Sequence, residues 1–497
     1  MCDTDTREQW ICSCCIEEPF LQRQIEEQGS REECHYCGDV GACFTLEEVS
    51  NRTEKAIKQH FTRTPVDPTD LEYVMIKHVD LDWERTGDEI QYVIEGLLQT
   101  RSEAASDIQQ LLEERYSDFD SDLIGMETEF ASGSHYVEDR QVDTCHLDSL
   151  WNKFVTSLKT ESRYVNKSIM ETLDGIFSGI ETMRAGTGKE MIMEVGPGTS
   201  VPYLYRARWG RSHDEIEKML VMPDVEIGPP PHLLSGSNRM SAKGISVFYG
   251  SNSAETAIPE IRPPVGCTVV SARFQLLRPM RLLNLPTFES VWQSGSMFDP
   301  HFINKLAQAA FLRTLTSRIA NPVLPGEEDF SYIPTQVIAE YLADTPRLAL
   351  DGILYPSVQE SGNHSSENYN VVLFHKASRV RYLTLPDKKH CRISYGHQYA
   401  EDDWEPDICV TQTKEVDERS ITSEQNGEAG WKKDNRQYSL EIELSSVCVH
   451  DIRAVHFDFS TEAVRRDKLI LEGSKIEFAG DDQAPWAEDD DQDDVPY

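Results

Sequence analysis

The spacing of apolar residues changes character along this chain. Ile90, Val93, Ile94, Leu97, Leu98, Ile108, Leu111 and Leu112 recur at i, i+3, i+4 and i+7, the rhythm of one helix face. Leu147, Leu150, Trp151, Phe154, Val155 and Leu158 repeat it, and Val165, Ile169, Leu173, Ile176 and Phe177 continue it. The stretch from about residue 45 to 180 is therefore expected to be helical, with the polar segment from Tyr116 to Asp143 dividing two blocks. Gly186, Gly188 and Gly196-Pro197-Gly198 then punctuate the chain like a linker. Gly186-x-Gly188-Lys189 is not a phosphate loop, because the leading glycine and the hydroxyl after the lysine are missing. Beyond it short apolar runs alternate with helical ones. Val201–Ala207, Ile245–Tyr249, Thr268–Leu276, Arg281–Leu285, Gly352–Tyr355 and Val371–Phe374 are expected strands, and Phe302–Ile319 and Pro334–Leu342 expected helices. The predicted fold class is α+β, with a mixed or antiparallel sheet following a helical region. Ser439–Leu444 and Lys468–Glu472 read as further strands in an extension, 386–478, to which no function attaches.

Charge refines this picture. The 497 residues carry a net charge of −38, but 195–385 hold 17 Lys+Arg against 17 Asp+Glu. The acid lies on the flanks, most densely in the tail 479–497, which is expected to be disordered. Bare double-stranded DNA is excluded as a partner, since phosphate binding needs a basic footprint. No apolar run approaches the length of a membrane span. Met1-Cys2-Asp3-Thr4-Asp5 has neither a basic nor an apolar secretory segment, so the expected location is cytoplasmic.

Seven of the twelve cysteines lie between Cys2 and Cys43. Cys12/Cys15 and Cys34/Cys37 form two C-x2-C pairs eighteen residues apart, a spacing that lets four thiolates close on one tetrahedral zinc ion. Cys14, His35 and Cys43 are spare ligands in that neighbourhood. Four thiolates leave no open position for water, so the zinc is expected to be structural. This sets 1–65 as a zinc-binding module and 66–185 as a helical domain.

Three later segments end apolar runs on polar residues: Leu204-Tyr205-Arg206-Ala207-Arg208, Phe248-Tyr249-Gly250 running on to Glu260, and Asp351-Gly352-Ile353-Leu354-Tyr355-Pro356-Ser357. Such residues are costly to bury without a partner. Arg206 and Arg208 share a strand face by the period of two and together suit a pyrophosphate. Pro259 fits a first helical turn begun near Thr256. Ser357 has no nucleophile elbow around it and is expected to hold substrate rather than attack it. Arg140 and His146 form a separate candidate pair, spaced like the Arg and His of some helical ribonucleases.

Taken in order, Leu-Tyr-Arg-Ala-Arg, Arg239-Met240-Ser241-Ala242-Lys243-Gly244-Ile245, Phe248-Tyr249-Gly250 with Thr256-Ala257 and Glu260, and Asp351 to Ser357 resemble the RES domain. Gly362-Asn363 and Asn370-Val371-Val372-Leu373-Phe374 are similar to its closing segment. The resemblance covers about 200–375 and sets 195–385 as the catalytic domain, while the cysteine pairs and helices resemble the HEPN/RES N-terminal domain often found ahead of it. It implies an ADP-ribosyltransferase-like β domain that consumes NAD, in a bacterial toxin or phage-defence effector. By that resemblance Arg206 and Arg239 hold the NAD phosphates, Tyr249 the nicotinamide-side ribose, Glu260 the oxocarbenium-like transition state and Ser357 the nicotinamide end. It also implies partners: an antitoxin, a sensor or activating protein, or a second copy of the chain. The alternatives are transfer of ADP-ribose to a macromolecule, and a zinc-organised interaction module whose RES-like part is inert.

Overall fold

The computed structural model describes residues 6–79, 83–117, 126–139, 142–161, 166–186, 188–320, 323, 326–357, 368–385, 388–400, 403–405, 407–412, 434–455, 460–464, 468–472 and 475–479. Arg140, Gly362, Asn363 and the acidic tail after Ala479 lie outside the described residues. Residues up to Arg453 form one compact unit. The second unit, from Ala454, contains an antiparallel hairpin of Lys468–Glu472 with Lys475–Ala479. Among the described residues no helix is long and apolar enough to cross a membrane.

The N-terminal part begins with three strands in the order Trp10–Cys12, Val40–Thr45, Ser30–Glu33. Thr45 starts the next helix, Leu46–His60, through a capping box: its side chain accepts from Glu48 N, and Glu48 reaches back to Thr45 N. The helical rhythm of 90–112 gives two helices, Ile90–Leu98 and Ser102–Tyr116. Their apolar faces share one core with Ile11, Ile16, Leu21, Ile25 and Ile57. The dividing polar segment contributes a strand, His135–Glu138, which pairs with Phe61–Arg63. Helices Cys145–Thr160 and Lys167–Phe177 instead pack into the core of the following β domain, where Trp151, Phe154, Leu173 and Phe177 meet Phe288, Phe311, Leu312 and Tyr341.

That domain is built on a mixed sheet of ten strands among the described residues. Its main path runs Val380–Arg381, Leu440–Ile442, Thr268–Leu276, Tyr203–Gly210, Phe248–Ser251, Tyr369–Leu373, Gly352–Pro356, Met280–Asn284, Ile192–Val195. Cys448–Asp451 pairs with the first half of Thr268–Leu276. Most neighbours are antiparallel, but Met280–Asn284 runs parallel to Gly352–Pro356, and Val380–Arg381 to Leu440–Ile442. The expected strands and helices appear within a few residues of their predicted ends, and the sheet also takes in the 440–451 part of the extension.

The three segments singled out in the sequence fall on neighbouring strands, with Tyr369–Leu373 inserted between the second and third. Ser251 faces Tyr205 on one side and Asn370 on the other, and Asn370 faces Tyr355. Gly250 is forced here by close approach. A Cβ on it would come 2.7 Å from the Phe248 ring and 3.1 Å from both Leu204 Cβ and Tyr205 O.

Candidate functional site

Where these strands meet, a cleft of about 460 Å³ opens, within the size range of small-molecule sites. It is lined by Tyr205, Arg206, Tyr249, Glu260, Tyr355 and Asn370, with Asn238, Arg239, Arg262 and Tyr332 among its other walls. Three guanidinium groups therefore face one carboxylate, which biases the cleft toward anionic ligands.

Arg206 is held by its own strand and two carbonyls. Its Nε donates to Ile227 O at 2.7 Å and its Nη1 to Tyr249 O at 2.7 Å, and the group sits 5.2 Å from the Phe248 ring centroid. Burial pulls the guanidinium down to about 10, and the charge of Arg208 adds to this; it stays cationic at neutral pH. Arg208 does not join it in the cleft. Its Nη1 donates to Glu226 O at 2.5 Å and lies 3.8 Å from the Glu226 carboxylate, so the expected two-arginine clamp on this strand is replaced by one cleft arginine and one surface ion pair. Arg239 arrives from the 238–241 turn, donates to Ile319 O at 2.6 Å and lies over the Tyr332 ring.

Glu260 ends the helix Ala254–Glu260. Ser253 caps that helix by accepting from Thr256 N, which starts it two residues before the expected point and leaves Pro259 inside it rather than in its first turn. Proline removes the N–H that would continue the ladder, and the helix stops one residue later. Pro263 and Pro264, just past the cap, keep the helix from running on and leave Glu260 as its terminal residue. The Glu260 Oε1 accepts from Ser357 Oγ at 2.9 Å and from Asn370 Nδ2 at 2.6 Å. The Oε2 has no hydrogen-bond partner among the described residues.

Ser357 follows the strand Gly352–Pro356 and touches the cleft through this bond to Glu260. Asp351, in the same motif, is structural: it pairs with Arg278 at 2.8 Å and accepts from Arg281 N. Tyr249 accepts from Met240 N at 3.0 Å, and burial pushes its hydroxyl up to about 12. Burial, with Tyr249 and Glu260 nearby, raises Tyr355 well above the ordinary range. Both phenols are neutral at physiological pH.

The structure thus brings Arg206, Arg239, Tyr249, Glu260 and Ser357 together. Sequence reasoning gave no site role to Asn370, Ser251, Tyr332, Tyr355 or Arg262. Asn370 carried a usable signal, a polar residue heading the apolar run Val371-Val372-Leu373-Phe374; Tyr332 carried none, because only the tertiary fold delivers it. Asn370 is 2% exposed and accepts from Ser251 Oγ at 2.6 Å while donating to Glu260. Asn370→Ala leaves the buried Ser251 hydroxyl without its acceptor, and is expected to cost about 1–3 kcal/mol, read as a lower urea midpoint at unchanged slope.

Residues 204–392 match the RES domain. Every cleft residue named above lies inside the matched stretch. The RES match covers well under half of the chain and does not include the cysteine-rich N-terminus. No curated protein and no solved structure matches the chain.

A second site lies in that N-terminus. The sulfurs of Cys12, Cys15, Cys34 and Cys37 all lie within 4.8 Å of one another and form a set able to hold a metal ion. Cys12 ends the strand Trp10–Cys12 and Cys15 lies in the turn after it, while the second pair sits in the turn between Ser30–Glu33 and Val40–Thr45, where Gly38 supplies a φ of +75°. Burial works against a thiolate at Cys34, but N–H groups of Cys12, Cys37 and Tyr36 pointing at its sulfur pull it down to about 7. Cys43 donates instead to Glu32 O, and Cys14 is exposed, so neither spare cysteine enters the set. His146 is exposed on the helix Cys145–Thr160; its proposed partner Arg140 is outside the described residues.

Proposed function

We propose that the RES cleft cleaves the nicotinamide–ribose bond of NAD. The observation that carries this reading is Glu260: one carboxylate oxygen is fixed by two donors, and the other is left for a ligand in a cleft otherwise lined by guanidinium groups. Arg206 and Arg239 supply charge for the diphosphate. Tyr249 and Tyr355 present neutral aromatic surface to the nicotinamide and its ribose. As the C1′–N bond breaks, its electron pair leaves with the nicotinamide nitrogen, which is already cationic in NAD and departs neutral. No acid is required for that departure, and among the described residues the cleft lining contains no histidine, cysteine or aspartate. The positive charge that moves to the ribose is met by Glu260. An acceptor, water or phosphate, then bonds to C1′, and the proton it loses passes by way of the Glu260 carboxylate to solvent. Ser357, bonded to Glu260, orients that carboxylate and the nicotinamide end.

On the RES match, the mixed sheet is also proposed to be of the ADP-ribosyltransferase-like kind. Loss of cellular NAD would make the protein a toxin or defence effector. Incubating the pure protein with NAD should release nicotinamide, and the mass of the second product identifies the acceptor. Intact NAD after prolonged incubation, with and without phosphate, would sink the reading. Label from NAD appearing on a protein or nucleic acid would instead favour macromolecular transfer.

For the four-cysteine set we propose zinc in a structural role. Zinc–thiolate bonds of about 2.3 Å in a tetrahedron require sulfurs about 3.8 Å apart. The Cys12–Cys37 and Cys34–Cys15 contacts are 3.5 and 3.7 Å.

A further inference from the structure

Arg262 stands two residues beyond Glu260 and lines the same cleft. Its backbone is left-handed, with φ +44°. That region disfavours any residue with a Cβ, and it is further disfavoured immediately before a proline, here Pro263. Surrounding structure holds it there. Arg262 N donates to Pro259 O at 3.0 Å, Pro263 is buried, and Gly266 and Cys267 exchange backbone bonds with Ile452 at 2.8 and 3.0 Å. Arg262 occupies the position just past the C-cap of the helix Ala254–Glu260, where a left-handed residue is common and glycine is the usual choice. Glycine would fit the backbone without strain, yet the chain places an arginine.

The side chain is what distinguishes it. Arg206 has two donors committed to carbonyls, and Arg239 is bonded to Ile319 O. The Arg262 guanidinium is exposed at the rim and has no hydrogen-bond or ion-pair partner among the described residues. It is therefore an exposed cation on the cleft wall that no described residue pairs with.

We propose that Arg262 is a specificity-determining residue that grips the diphosphate of a bound dinucleotide from the cleft rim, and so selects a dinucleotide over the unphosphorylated nicotinamide riboside. This rests on the NAD-cleaving reading of the cleft. Two parallel N–H···O bonds to a phosphate are the natural contact of such a group.

The test pairs kinetics with binding. Arg262→Ala should raise KM for NAD by about tenfold or more with kcat within a factor of about two, the pattern of a contact made equally in ground and transition states. Turnover of nicotinamide riboside should change far less, Arg262→Lys should recover part of the loss, and the difference should shrink in high salt. Calorimetry with ADP-ribose should show the same loss of about tenfold in affinity. Arg262→Gly should lose affinity equally while melting at or above the wild-type temperature, which separates lost grip from lost fold. Equal ADP-ribose affinity in wild type and Arg262→Ala, no ADP-ribose binding by the wild type, or equal losses with both substrates would overturn the proposal. ADP-ribose affinity that depends on Arg262 in a protein that leaves NAD intact would overturn the cleavage reading and uphold the contact.

Discussion

Glu260→Gln is expected to reduce nicotinamide release from NAD by a factor of about 10²–10³ in kcat, the usual cost of deleting one electrostatic contact to a transition state. The substitution is isosteric. A glutamine carbonyl at the Oε1 position can still accept from Ser357 Oγ and Asn370 Nδ2, so the helix end and the strand pairing beneath it are retained. What disappears is the negative charge on the oxygen left to the ligand. KM should move by no more than a few-fold, because the guanidinium groups that hold the diphosphate are untouched, and the melting temperature should stay within a few degrees. Stopped or continuous assays of nicotinamide release, run beside thermal unfolding, decide it. Turnover within threefold of wild type would show that this carboxylate does not face the developing charge.

The largest expected effect on stability comes from the four-cysteine set. Cys12, Cys15 and Cys34 are buried, and their neighbours Ile11, Ile16, Leu21 and Ile25 belong to the core that also holds the helices Ile90–Leu98 and Ser102–Tyr116. A structural zinc contributes an apparent ~10–16 kcal/mol to small folds at neutral pH, against a total stability of about 5–15 kcal/mol for a typical domain. Stripping the metal with a strong chelator, or making Cys34→Ser, should therefore unfold this part of the chain. Circular dichroism should report lost helix, and elemental analysis of the untreated protein should find about one zinc per chain. An unfolding curve unchanged by chelation would remove the structural role.

The zinc spacing and the cleft were legible in the sequence for different reasons. Two C-x2-C pairs act locally, so their meeting needs only a short turn and the Gly38 conformation. Arg206, Tyr249, Glu260 and Ser357 were visible because each closes an apolar run with a polar group. Their order in space was not visible, since the strand that joins two of the three segments, Tyr369–Leu373, comes last in sequence and pairs with Phe248–Ser251 and Gly352–Pro356. Pro259 was misplaced because the capping power of Ser253 outweighed the helix-breaking signal and started the helix earlier. Arg208 was misplaced because strand periodicity gives a face but not a partner, and Glu226 lies close enough to claim it. Arg262 could not be read at all: its place on the cleft wall follows from where the helix Ala254–Glu260 ends and how the chain turns after it, which the earlier start at Ser253 decides.

The pairing of Leu440–Ile442 and Cys448–Asp451 with Thr268–Leu276 has a practical consequence for anyone cutting this chain into fragments. The family match stops at 392, but a piece ended there would leave one side of Thr268–Leu276 as a bare edge, with Phe274 and Leu276 uncovered. Open edges of that kind invite pairing between molecules. The natural cut for expression falls after Arg453, which keeps the Ile452 bonds to Gly266 and Cys267 and lies well downstream of where sequence similarity ends.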